Sequence, residues 1–150
     1  MNTVDIGLKV GQTAPHFSAV DDQKKPVHLE GLLENGKLLL AFIHGTWCPH
    51  CVQTIYRLRR AANTFAQEGI GIAVVAIDDP KTLGIFRQSA VPTIPFTLLA
   101  DNDQSVHKAY HLEQVSAYIA LDKAGIIRGV FIDADHHSYP GHAAIVQALH

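Results

Sequence analysis

Two almost unbroken apolar runs dominate the hydropathy pattern of this chain: KLLLAFI over residues 37–43 and GIAVVAI over residues 71–77. Both have the length of a strand, and neither alternates with polar residues. That pattern predicts central strands covered on both faces. Between them Val52, Ile55, Tyr56, Leu58, Ala62 and Phe65 recur at helical spacing, which predicts a helix over 52–68. Pro49 falls in its first turn, where a missing N–H costs nothing, and Gly69 ends it.

The flanking segments follow the same logic. Residues 16–20 alternate, 21–25 (DDQKK) form a polar turn and 26–29 return, predicting a β-hairpin ahead of the long strands. Residues 30–34 have the length of one helical turn, closed by Asn35-Gly36. Asp78-Asp79-Pro80 opens a helix toward Gln88, with the aspartates as N-cap. VPTIP at 91–95 is a rigid connection, 96–100 a third strand and 103–110 a short helix. Residues 117–121 and 126–132 flank Asp122-Lys123-Ala124-Gly125, the turn of a second hairpin. Residues 140–149 form a closing helix.

The predicted order is a hairpin followed by β-α-β-α-β-α-β-β-α. The early βαβ units require parallel neighbours joined by right-handed crossovers, and the late hairpin adds antiparallel strands. The expected class is α/β: a mixed central sheet flanked by helices, with an N-terminal β-hairpin extension. A chain of 150 residues suits one domain, 1–150.

Composition narrows the function. A formal net charge of -2 gives no basic footprint for nucleic acid and no polybasic signal for a membrane surface. No apolar run approaches the roughly 20 residues that span a bilayer. Residues 1–10 lack the charged-then-apolar pattern of a secretory signal, so the chain as it stands is expected to be cytoplasmic. The chain has just two cysteines, and a pair this close in a reducing compartment is a poor structural staple.

Those cysteines are the chemistry-bearing residues. Trp47-Cys48-Pro49-His50-Cys51 lies between the first apolar strand and the long helix, after the loop His44-Gly45-Thr46. Two thiols at CxxC spacing on the first turn of a helix that follows a strand read as a redox pair. The helix N-terminus, with its unpaired N–H groups and positive dipole end, favours a thiolate at Cys48. An imidazolium at His50 would stabilise that thiolate and make the pair more oxidising. Cys51, three residues on, is placed to attack a mixed disulfide on Cys48. Cys48 is therefore assigned as nucleophile and Cys51 as resolving thiol. Trp47 is expected to shield the sulfur and to offer an apolar surface to a partner, with His44, Thr46, Pro49 and His50 as supporting positions. No cofactor and no metal site are expected. Zinc would need a second pair of ligands, and the spacing of His44 and His50 resembles no common zinc module.

With these residues in place, the chain resembles the thioredoxin fold, and more closely the AhpC/TSA (peroxiredoxin-like) redoxins. The likeness rests on VGQTAPHF at 10–17, on the strand and loop from Phe42 to Cys51, on FTLLAD at 96–101 and on IALDKAGIIR at 119–128. The resemblance implies a thioredoxin-like domain and thiol-based redox activity. Its partners would be protein or small-molecule disulfides and thiols, with a thioredoxin- or glutathione-type electron donor, acting as monomer or homodimer. Peroxiredoxins carry Pro-x-x-x-Thr-x-x-Cys around the peroxide-reacting cysteine. With Cys51 in that place the Pro and Thr positions hold His44 and Cys48; with Cys48 there they hold Ala41 and Gly45. The family's later arginine aligns with Ser116. These departures favour disulfide exchange over peroxide reduction.

Thioredoxin-like proteins place a cis-proline against the CxxC, and two registers compete for that position. One uses Val91-Pro92-Thr93; the other places it near Ser116, without proline, and is preferred because it accounts for the Phe96 strand and the final hairpin. Pro92 is then an ordinary rigid turn, since few X-Pro bonds are cis. The buried carboxylate of thioredoxins would fall at Phe42, which leaves His44 or Glu30 as the proton acceptor for Cys51. Asp133, Asp135, His136, His137 and His142 read as a polar loop before the last helix rather than as metal ligands.

The leading expectation is a thiol–disulfide oxidoreductase. A thiol-dependent peroxidase is the near alternative, with Cys48 oxidised to a sulfenic acid that Cys51 condenses with. A non-enzymatic redox or metal-binding adaptor is the alternative from another class.

Overall fold

A computed structural model describes residues 7–113, 115–133 and 139–150. Its elements in chain order are β1 (Ser18–Asp21), β2 (Pro26–His28), α1 (Leu29–Leu33), β3 (Lys37–Ile43), α2 (Pro49–Gln67) and β4 (Ile70–Ala76). There follow α3 (Pro80–Ser89), β5 (Thr97–Ala100), α4 (Ser105–Ala109), β6 (Ser116–Leu121), β7 (Ile127–Asp133) and α5 (His142–Ala148). The order is the one the pattern predicts, and α2 begins at Pro49 itself. Gly69 follows α2 at φ +73, a left-handed position that a side chain would strain.

The strands form one seven-stranded sheet in the order β2-β1-β5-β4-β3-β6-β7. β3, β4 and β5 are parallel, whereas β1 joins β5, and β6 joins β3, antiparallel. The two apolar runs are thus the centre of the sheet, flanked on both sides. β3 shows why it has no polar face. Leu39, Ala41 and Ile43 pack into one core with α2, Leu83 of α3 and Ile145 of α5; Leu38, Leu40 and Phe42 pack into a second with Leu29 of α1 and Val106 of α4. Helices cover both faces, so alternation carries no polarity signal.

Two features depart from the expectation. The Val91–Pro92 peptide is cis, so Pro92 is not the ordinary trans turn that base rates favour. The connection is tied to two helices: an Arg59 guanidinium N–H of α2 donates to the Pro92 carbonyl, and Arg87 of α3 donates to the carbonyls of Ile94 (2.6 Å) and Phe96 (3.0 Å). Arg87 also grips both carboxylate oxygens of Asp22 at 2.8 and 3.1 Å. The DDQKK segment is therefore more than a solvated turn. Its second aspartate ties the first hairpin to α3 and to the loop before β5.

Candidate active site

The parallel strands β3, β4 and β5 run into His44, Ile77 and Asp101 at their carboxyl ends, where loops of an α/β sheet gather ligands. Cys48 is the N-cap of α2, with extended backbone (φ -94, ψ 119), and Pro49 follows at the first helical position. Cys51 sits one turn into the helix. The two thiols are reduced, and their sulfurs lie within 4.8 Å of each other and of a His44 ring nitrogen. Both cysteines are buried, Cys48 keeping 7% of its surface and Cys51 2%.

The backbone amides are used differently from the expectation. Cys48 makes no side-chain capping hydrogen bond to α2. The main-chain N–H groups of Gly45 and His44 face the Cys51 thiol instead, and they favour its ionised form. Burial outweighs them and pushes the Cys51 thiol up to about 11, with hydrogen bonding and charge from Cys48 adding to the rise. Cys51 is therefore a protonated thiol at neutral pH. His50, on the first turn of α2, is exposed. The imidazole gathered with both sulfurs is that of His44.

The loop that carries His44 is fixed by residues outside the motif. Thr46 donates its N–H (2.8 Å) and its hydroxyl (3.2 Å) to Asp78 Oδ2. Burial raises the Asp78 carboxyl above its ordinary value, against those two donors, which lower it. The His44 carbonyl accepts from Ile77 N–H at 2.9 Å. Sequence reasoning paired Asp78 with Asp79 as a helix cap. Only Asp79 caps α3, accepting from Thr82 N–H at 2.7 Å; Asp78 belongs to the site. The signal was present as an acidic residue directly after a fully apolar strand.

Below the loop lies a second polar group that the sequence did not single out. His107 of α4 is fully buried and Asp101 2% exposed. His107 Nδ1 lies 2.6 Å from Asp101 Oδ2, and its Nε2–H donates to the Ile43 carbonyl at 3.1 Å. Asp101 also accepts the N–H groups of Val106 and His107. The pair pins the last residue of β3, immediately before His44.

Trp47 is 71% exposed. Its ring lies parallel to His44, with centroids 6.4 Å apart and planes 11° apart. A side chain on Gly45 would overlap the indole ring, which explains glycine there. The indole thus presents apolar surface to solvent, and His44, Trp47, Ile77, Gln104 and Glu113 line a groove of about 440 Å³ beside it. Glu30, expected as one possible proton acceptor, is excluded. It lies on α1, in the layer opposite the cysteines, and makes an exposed pair with His16 at 3.1 Å. Phe42 points into that same opposite layer, against His107 and Tyr110. Ser116 Oγ is buried without a hydrogen-bond partner among the described residues. Of the late acidic and histidine cluster, Asp133 is buried at the end of β7 and His142 meets the Phe65 ring edge-on; residues 135, 136 and 137 lie outside the described residues. Among the described residues no helix is long and apolar enough to cross a membrane.

Residues 10–136 match the AhpC/TSA family. The chain is 28% identical over 129 residues to peroxiredoxin Bcp of Escherichia coli K12, covering 85% of this chain and 81% of that protein. Peroxiredoxin 2 of Thermoplasma acidophilum is 29% identical over 128 residues, 82% of this chain and 60% of that one. Among solved structures, peroxidoxin BcpB from Mycobacterium tuberculosis superposes with a TM-score of 0.82 at 21% identity, covering 95% of this chain and 99% of the other. The yeast mitochondrial 1-Cys peroxiredoxin, described as resolved via glutathione and thioredoxin systems, superposes at 0.81 with 14% identity over 93% and 73%. These superpositions show a thioredoxin-like fold.

Proposed function

The chain belongs to the AhpC/TSA family and is a thiol-based oxidoreductase; from that premise we propose that its reaction is thiol–disulfide exchange at Cys48 and Cys51. The observation that carries the reading is the inequality of two neighbouring sulfurs. Cys48 is the more exposed, at the mouth of the helix; Cys51 is deeper and protonated at neutral pH.

The cycle balances on these groups. The Cys48 thiolate attacks one sulfur of a partner disulfide, forming a mixed disulfide and expelling a partner thiolate. Cys51 then attacks Cys48 Sγ, breaks the mixed disulfide and releases the second partner thiol. Two electrons pass from the pair to the partner. The proton that Cys51 must lose goes to His44, the imidazole gathered with both sulfurs. The run proceeds in reverse when the pair is re-reduced by a thioredoxin- or glutathione-type thiol. The exposed indole of Trp47 and the adjoining groove suit an extended peptide around the partner's sulfur.

Peroxide reduction is the second reading, supported by the peroxiredoxin relatives and by the two N–H groups aimed at the Cys51 sulfur. In it one thiol is oxidised to a sulfenic acid, releasing an alcohol or water, and the other condenses with it, releasing water. Catalysed insulin disulfide reduction that Cys48→Ser brings to background supports exchange. Stopped-flow oxidation by hydrogen peroxide far faster than that of a free thiol, with no insulin turnover, transfers the assignment to the peroxidase.

A further inference from the structure

The two sulfurs and the His44 ring nitrogen, all within 4.8 Å of one another, form a donor set as well as a redox pair. We propose that reduced Cys48 and Cys51 together with His44 bind a thiophilic divalent cation, zinc, through three protein ligands. The sequence-based expectation of no metal site is revised on geometry that spacing could not supply.

The donor chemistry is borderline-soft, two sulfurs and one imidazole, which suits zinc over calcium or magnesium. Tetrahedral zinc with Zn–S near 2.3 Å and Zn–N near 2.0–2.1 Å sets its ligand atoms about 3.5–3.8 Å apart. The three donors therefore need to close by no more than about 1.3 Å, which small side-chain rotations supply. Charge argues the same way. Binding releases the thiol protons to solvent; the two thiolates and the dication then sum to zero, in a core of apolar side chains where an uncompensated charge is costly. The Gly45 and His44 amides that face the Cys51 sulfur are the kind of outer-shell donors that orient a thiolate ligand. The Thr46–Asp78 bonds hold the loop bearing His44 in place before any ion arrives. Three protein ligands leave a fourth position open to water or to a thiol from solvent. Binding would use the same sulfur lone pairs that exchange requires, so metal and disulfide exclude each other. The site needs only the reduced sulfurs: loss of metal binding leaves the exchange reading intact, and loss of insulin turnover leaves the metal site intact.

The test titrates the reduced full chain with Zn2+ against a chromophoric chelator, and with Co2+ for its thiolate-to-metal absorption. The expected result is one equivalent bound, no binding by the same protein carrying the Cys48–Cys51 disulfide, and affinity weaker by more than about 100-fold in His44→Ala, because losing a ligand costs more than the roughly 10–100-fold of an outer-shell change. His50→Ala is expected to stay within about threefold of the parent, because its imidazole is outside the donor set. The comparison of reduced with oxidised parent needs no substitution and so does not depend on a variant folding. The proposal is overturned if the reduced protein binds no stoichiometric zinc, if the disulfide form binds equally, or if His44→Ala loses no more than His50→Ala.

Discussion

His44 and His107 flank the same strand end, and they show how burial divides one residue type into two tasks. His107 is fully enclosed and satisfied on both nitrogens, by the Asp101 carboxylate and the Ile43 carbonyl. It has no route to a substrate, and its work is to hold the backbone. His44 is one residue beyond that carbonyl, half-buried, stacked on an exposed indole and gathered with two thiols. The difference teaches that the imidazole beside the sulfurs is placed by the one that is enclosed. The backbone on either side of the His44 ring is anchored: the Ile43 carbonyl accepts from the His107 imidazole, and Thr46 donates to the Asp78 carboxylate.

The sharpest way to break that comparison is to exchange the losses. His107→Ala leaves Asp101 buried without its ring partner and is expected to cost about 3–5 kcal/mol of stability, read from urea unfolding. His44→Ala is expected to cost less than about 1 kcal/mol while lowering disulfide exchange about 100–10,000-fold. Equal unfolding midpoints for the two variants would end the distinction. Asp78→Ala removes the acceptor of two Thr46 bonds. A loss between those two, about 1–3 kcal/mol, is expected, together with slower exchange from a loosened loop.

The inequality of the sulfurs has its own measurement. Because burial pushes Cys51 up to about 11, its alkylation should keep rising about tenfold per pH unit past pH 9, as the thiolate fraction grows. Levelling at the pH of an ordinary exposed thiol would remove the basis for calling it the protonated partner. The smallest effect belongs to a third histidine. His16 pairs with Glu30 at the surface, and His16→Ala should change stability by less than about 0.5 kcal/mol.

Much of the fold was legible because it rests on local rules. Residues 37–43 read as a strand and are one, since an apolar run of 7 residues flanked by Gly36 and Gly45 is short for a helix and has the length of a buried strand. Pro49 and Gly69 bound α2 as their backbone preferences require. The motif at 47–51 was legible for the same reason, being five consecutive residues. What escaped were partnerships across distance. Asp22 with Arg87 and His107 with Ile43 each join residues more than 60 positions apart, and Thr46 with Asp78 joins two strand ends. No periodicity encodes such contacts. Pro92 departs from its dipeptide's preference: X-Pro bonds favour trans, and this one is cis.

By itself, then, the sequence determined the element order, the apolar centre of the sheet and the identity of the thiol pair, because propensity, patterning and motif spacing act within a few residues. Tertiary structure alone decided which histidine joins the sulfurs, which sulfur the backbone amides address and which carboxylates hold the loop. Those outcomes depend on burial and on groups from separate strands and helices converging at one end of the sheet, and neither quantity exists until the chain has packed.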